Sequence, residues 1–441
     1  MKPKFSNRVL RWLSIALGTS LATVVLAGPP ASAAPATTVS IFGSFQGEVA
    51  KSLQAELDIA FPPSSGIKAV YTPLSNMEAS IHLMVGRNQM PNIVLWNEPS
   101  ALLAYKTKLV SLGKLLGASR LAKIQNTLAS GWVPSLSVGK ALFALPIDVT
   151  PRDLVFYNRD AFRANKLQAP RNDGELIALQ NQIIARGLGY PWCLGLEAGP
   201  ATGAPAFNWI KAYALKELGP AQFSEWLSGK IKWSSTPITT VGNRVSAMLT
   251  GPNQTLGGSA GAAARNFSQS TAAGLYANGK VAGQCFMMLG SVASTSYLPP
   301  TVQSEIAAGN YTHLGVFELP TPNTYQPSQL LGGDYASTFQ NDPATAKVME
   351  YLVGDQFGSK GLISHGYFYS AHKNVPLTQY GSGFRRQIAT MIQNNGSIGV
   401  DRQLVSNGVN TSLIWTNLTG WFAGKTTMAK AFAAIDTGFK K

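Results

Sequence analysis

The stretch "GKALFALPIDVTPRDLVFYNRDAFRANKLQAPRNDGEL", residues 139–176, decides the fold. It opens on a Gly-Lys turn and continues as an extended run interrupted by Pro146 and Pro151. A second extended run, "LVFYN", then leads into a helix start. Proline removes a backbone donor and fixes φ, so neither proline suits a helix interior. Two extended segments in tandem read as a chain crossing from one lobe to another.

On the N-terminal side, strand and helix alternate. "TTVSIFGSF" is a β-branched and aromatic run, and in "GEVAKSLQAELDIAF" Val49, Leu53, Leu57 and Phe61 recur at helical spacing. "GIKAVYTPL" is a second strand, "NMEASIHLMVGR" a helix, "NIVLW" a buried strand, and "PSALLAYKTKLVSLGKLL" helical again. Such alternation argues for a parallel sheet covered by helices, with ligands gathering at the carboxyl ends of its strands. On the C-terminal side, "GELIALQNQIIARG", "FNWIKAYALKELG", "PAQFSEWLSGK" and "ITTVGNRVSAML" carry helical spacing, and "TLGGSAGAAARN" is ambiguous. "HLGVFELP" and "LLGGDYASTF" read as strands, and the tail from Pro343 to Phe439 as mostly helix, with no internal repeat.

The 441 residues suffice for two or three domains, and a composition 45% hydrophobic and 13% charged is that of a globular chain. Residues 1–33 read as a secretory signal peptide. Lys2, Lys4, Arg8 and Arg11 precede a mostly apolar run to Ala27, and Ala31-Ser32-Ala33 offers a cleavage site. An uncleaved membrane anchor is the competing reading, disfavoured by that site and by the polar Gly18-Thr19-Ser20 interruption. No cysteine follows the run, so the expected product is periplasmic and not a lipoprotein. In an oxidising compartment the two cysteines, Cys193 and Cys285, pair rather than stay free. The net charge of +15 invites a nucleic-acid reading, but Lys and Arg are scattered singly, the longest cluster being Arg385-Arg386. No nucleic-acid partner is expected.

The order of parts resembles the family-1 extracellular solute-binding proteins of ABC importers, the group that includes the maltose-binding protein. The opening stretch carries most of the resemblance. "GRNQMPNIVLWNEP" resembles the family's Gly, Pro-Asp-Ile, Pro signature, with Asn92 in place of the usual Asp. "PWCLGLEAGPATGAPAFNWI" with "GQCFMMLGS" resembles the α-glucoside-binding branch, in which both cysteines have counterparts. "LLGGDYASTF" resembles its Gly-Gly-Asp-Phe segment, and "GYFYSAHKNVPLTQY" the return across the lobes. Two departures stand out. Gly408-Val409-Asn410-Thr411-Ser412 replaces an aromatic that usually enters the penultimate helix, with Trp415 a turn later. "GVDRQLVSNG" keeps only Asp401 of an acidic and aromatic segment.

The resemblance implies an α/β, two-lobe periplasmic-binding-protein fold of the class II type, its lobes joined by crossing hinge segments. It implies an N-terminal lobe from 34–147 and 313–362, and a C-terminal lobe from 148–312 and 363–441. The implied function is capture of a carbohydrate, an α-glucoside or small oligosaccharide, and its delivery to ABC permease subunits by a monomer that needs no cofactor. An exported glycoside hydrolase, or the same receptor fold with a non-sugar solute, is the alternative.

A sugar has apolar faces and hydroxyl edges, so its site needs aromatic platforms with carboxylates and amides. Phe45, Gln46 and Glu48 follow the first strand, where Glu48 is either a ligand acid or a first-turn glutamate favoured by the helix dipole. Trp96 and Asn97 end "NIVLW", with Trp96 a cleft or a core residue. Asp148 sits at the crossing, as ligand contact or hinge support. Glu197 follows an apolar strand and is the favoured ligand acid; Trp209 stacks on sugar or packs on a helix face. Gly332 and Gly333 let backbone approach closely beside Asp334, and Tyr335 and Tyr367 complete the candidates.

Other chemistries fit less well. "GGSAG" at 257–261 matches a serine-nucleophile pattern, but no apolar strand precedes Ser259. Glu197 with Asp334 offers the two carboxylates a glycosidase needs, without a defined separation. His365 and His372 lack the acid spacing of a metal site, and no phosphate-binding Gly-x-x-x-x-Gly-Lys-Ser/Thr loop exists. No catalytic residue and no metal ligand is assigned.

Overall fold

The computed structural model describes residues 36–439 apart from 269–273, 277–283, 311, 323–326, 382 and 402–410. The expected signal peptide and the segment at 408–410 lie outside the described residues. Among those described, no helix is long and apolar enough to cross a membrane.

The strands form two main sheets. In the first, β1 (Thr37–Gly43) lies between β2 (Ile67–Pro73) and β3 (Ile93–Trp96), parallel to both. The helix Gly47–Ala60 between β1 and β2 buries Leu53 and Leu57, so the apolar stripe read from sequence is the face that covers the sheet. Each such leucine contributes about 1.5–3 kcal/mol. A short ribbon, β4 (Ser137–Val138) and β5 (Ala141–Leu142), leads into β6 (Ala144–Pro151), the crossing run.

The second sheet has the order β10-β7-β9-β8, from β7 (Leu154–Asn158), β8 (Tyr190–Trp192), β9 (Cys285–Gly290) and β10 (Leu314–Glu318). The chain then returns as β11 (Gln329–Thr338), which runs antiparallel to β6 and β3 and parallel to β12 (Ile398–Val400). β6 and β7 are therefore successive in sequence but belong to different sheets, as the doubled extended run implies.

Three local readings differ from the sequence expectation or sharpen it. Leu314–Glu318, expected with the first lobe, pairs antiparallel with β7, because its apolar residues Leu314 and Val316 are buried in that sheet. Residues after 362, expected with the C-terminal lobe, return to the first sheet: Phe368 packs 5.1 Å from Phe45, Tyr369 accepts a hydrogen bond from Val149 N at 2.8 Å, and β12 pairs with β11. Only the helices Thr411–Phe422 and Met428–Gly438 rejoin the second apolar core, through Ile414, Leu418 and Phe432. The two helices read at 207–219 and 220–230 join as Ala204–Leu227, broken where Gly219 takes φ 71° before Pro220.

Candidate functional site

The candidate site lies where β6 and β11 run side by side at the crossing. Their register pairs Asp334 with Asp148, then slips so that Tyr335 faces Pro146. A β-bulge of this kind re-aims side chains locally. The backbone contact is close: a Cβ on Gly333 would lie 2.2 Å from the Asp148 carbonyl oxygen, so no other residue fits there. Asp334 N donates to Asp148 Oδ1 at 2.8 Å across the antiparallel ladder. Burial pushes Asp148 up to about 6, and burial with the Asp148 charge raises Asp334 well above the ordinary carboxylate range.

Arg152 is the residue that the sequence reading missed. It follows the second crossing proline, and its guanidinium lies over Gly332, where a Cβ would come within 2.6 Å of Nε. Its charge acts on Asp148, Asp334 and Tyr335, and Nε stands 3.6 Å from Asp401 Oδ2. Asp401 also accepts from Lys211 Nζ, a lysine whose ammonium lies 4.7 Å above the Phe207 ring. Tyr335 is fully buried, and its hydroxyl has no hydrogen-bond partner among the described residues.

Facing Arg152 is a cavity of about 180 Å³, lined by Asn208, Trp209, Phe267, Ser291 and Tyr297 among others. Phe267 and Tyr297 meet edge to face at 6.2 Å, and Tyr297 is 48% exposed, which makes an aromatic corner that sequence did not single out. Neither residue sits in a periodic or motif context, so only the fold brings them together. Cys193 lines the same wall and is bonded to Cys285, with a Cα–Cα distance of 5.3 Å. That staple joins residues on either side of the β8–β9 pairing.

The remaining candidates scatter. Phe45 is half-buried against Tyr71 and Phe368, and its carbonyl accepts from the Tyr71 hydroxyl at 3.1 Å. Tyr71 in turn feels the Asp334 charge, which sets this loop beside the acid pair. Gln46 is exposed at the start of its helix, and Glu48, also exposed, pairs with Lys51 at 2.7 Å, the first-turn reading of that residue. Trp96 is fully buried, donates Nε1 to Ser337 Oγ at 2.6 Å and stacks on Tyr105, which is the core reading. Asn97 is exposed at the end of β3, next to Glu98, which caps the following helix through Ser100.

Glu197, the favoured acid, accepts from Gly199 N at 2.8 Å and from Asn266 Nδ2 at 2.5 Å, and these bonds lower its pKa. Its carboxylate closes the glycine-rich turn. Trp209 is 2% exposed and meets Trp192 edge to face, so it packs within its lobe and shows only an edge to the cavity. Tyr367 is exposed beside His365. Ser259 lies inside the helix Gly258–Ala264, not on a strand-to-helix turn, and no group of three or more metal-ligating side chains occurs among the described residues.

No protein-family model matches the chain. It is 23% identical over 390 residues to the "Osmoprotective compounds-binding protein GgtB" of Synechocystis, covering 88% of this chain and 89% of that protein. It is 23% identical over 403 residues to the "Alpha-glucosides-binding periplasmic protein AglE" of Rhizobium meliloti, covering 88% and 84%. Among solved structures, the bacterial solute receptor AcbH superposes with a TM-score of 0.73 at 14% identity, over 91% of this chain and 98% of that one. The fold is that of the two-lobe periplasmic solute-binding proteins. The resemblance read from the crossing stretch is borne out: over most of its length the chain is similar to solute-binding proteins, and it shares their fold.

Proposed function

We propose that this protein is the substrate-binding component of an ABC importer, capturing a carbohydrate between its lobes and presenting it to membrane permease subunits. The observation that carries the reading is similarity over most of the chain to two binding proteins, one named for α-glucosides, joined to a cavity that sets Arg152, Asn208 and Ser291 beside an aromatic corner. Acids and amides recognise hydroxyls, and aromatic faces recognise the apolar side of a sugar ring. An α-glucoside or a small oligosaccharide fits this chemistry. The acids serve binding rather than hydrolysis: Glu197 is committed to its own turn, which leaves Asp334 without the second carboxylate the glycosidase reading gave it.

We place the lobe boundaries at the crossings, with 36–152 and 329–400 in one lobe and 153–318 and the last two helices in the other. Export behind a cleaved signal at 33, a monomeric state and docking on permease subunits belong to the same reading. Thermal unfolding of residues 34–441 against maltose, trehalose, sucrose, glucose and buffer tests it. A ligand at about 100 times its Kd adds about 2.7 kcal/mol and raises the midpoint by a few degrees. No shift with any sugar ends the carbohydrate reading, and turnover of a chromogenic glucoside ends the receptor reading.

A further inference from the structure

At the end of the second sheet away from the crossing, an open cavity of about 860 Å³ collects cations. β7 starts at Leu154, which pairs with Gly290 beside the Arg152 cavity, and it ends at Asn158, about 13 Å further on at roughly 3.4 Å per residue. The two cavities share no lining residue. Arg159, Arg163 and Lys166 line the distal one, and no carboxylate among the described residues does. Asp160, on the same helix Arg159–Ala164, is drawn off to other partners: it accepts from Arg163 Nη2 at 2.5 Å and pairs with His313, whose other nitrogen lies 3.3 Å from Glu305.

The fold fixes two of these cations. Arg163 uses Nη2 for both Asp160 and the Thr312 carbonyl, the latter at 2.8 Å, so its guanidinium is anchored through one nitrogen. Lys166 follows the helix in the left-handed region at φ 54°; its N–H donates to Arg163 O, and Leu167 N donates to Phe162 O. Those two bonds close a helix with a left-handed residue, a position that glycine ordinarily takes and where a side chain strains the backbone. Here it holds a lysine, which lines the cavity. Below the cations the lining is aromatic: the rings of Tyr157 and Phe162 lie 4.4 Å apart. Gly315, across the ladder on β10, leaves room for Tyr157, since a Cβ there would come within 2.1 Å of its ring.

We propose that this distal cavity binds a phosphoryl group, carried either by a free phosphate compound or by the headgroup of an anionic lipid. Two guanidinium groups and an ammonium match an oxyanion of two or more charges, and the aromatic faces take up what the phosphoryl group is attached to. The inference goes beyond the receptor reading and does not depend on it.

Pyrophosphate probes the free source, and vesicles of phosphatidylglycerol, set against phosphatidylcholine, probe the lipid. Titration calorimetry at constant ionic strength is expected to show one saturable pyrophosphate site on wild type and about tenfold weaker binding to Lys166→Gly. Glycine suits φ 54°, so this variant is expected to melt close to wild type, and its weaker binding is not an effect of unfolding. Arg159→Gln, read the same way, is the second variant. Vesicle binding that Lys166→Gly abolishes, without pyrophosphate binding, assigns the lipid headgroup; pyrophosphate binding without vesicle binding assigns a free phosphate. Equal pyrophosphate affinity in wild type and both variants overturns the site, because the attraction then belongs to the basic chain as a whole. The absence of both pyrophosphate and phosphatidylglycerol binding overturns it as well.

Discussion

Tyr335 carries a buried hydroxyl beside Asp334, Arg152 and Asp401, with no hydrogen-bond partner among the described residues. Leaving such a group unsatisfied costs about 1–3 kcal/mol. Tyr335→Phe is therefore expected to keep or raise stability by about 1 kcal/mol in urea unfolding and to weaken sugar binding; a clear loss of stability would mean that the hydroxyl has a structural partner. Trp96→Ala should instead cost about 3–5 kcal/mol, because its indole fills the first core and holds Ser337. Sequence found Asp148 and Asp334 because each sits where a rare backbone motif, a proline-flanked crossing or a Gly-Gly pair, marks a special place. It overvalued Glu197 for a physical reason: the glycine-rich turn that drew attention to it also supplies the Gly199 N–H that occupies its carboxylate. Arg152 was passed over because a lone arginine after proline carries no spacing signal.

At the scale of elements, the hinge is fastened by one lysine. Lys216, fully buried on the helix Ala204–Leu227, lies 3.1 Å from Asp153 Oδ2 at the first crossing and 3.3 Å from Glu318 Oε1 at the second, and donates to Ser328 O at 2.9 Å. Burial and the Asp153 charge push Glu318 up to about 7, against Lys216, and Asn395 donates to its other oxygen. Lys216→Met would strand two buried acids, with an expected loss of about 3–5 kcal/mol at pH 8. The sign with pH follows from the raised carboxyl. Glu318 takes a proton more readily folded than unfolded, so stability is fuller near pH 4.5 and falls as pH rises toward 7, more steeply in the variant. A loss independent of pH would assign Lys216 a packing role alone. The helices and parallel strands of this cluster were legible from periodicity. The short β12 and the lysine's reach were not, because both depend on partners distant in sequence, 112 residues away for the bond from Lys216 to Ser328.

For the whole molecule, two sheets joined at paired crossings allow rigid closure, and a ligand closes the lobes only through contacts that the closed state alone provides. Small-angle scattering is expected to give a smaller radius of gyration with a bound sugar, with no change on adding an excess of a non-binding sugar. Reduction of Cys193–Cys285 should leave that contraction in place, since the staple joins residues on either side of the β8–β9 pairing, and should lower stability by about 2–4 kcal/mol.

The crossing strand also dictates when the protein can fold. β6 pairs with β11 and with no other described strand, and the bonds that join β11 to its neighbours span 186 residues at Asp334–Asp148 and 241 at Trp96–Ser337. During synthesis the first sheet waits, incomplete, until Gln329–Thr338 has left the ribosome. Loop closures that long slow folding. The same topology that builds the cleft thus postpones completion of the first sheet until most of the chain has been made.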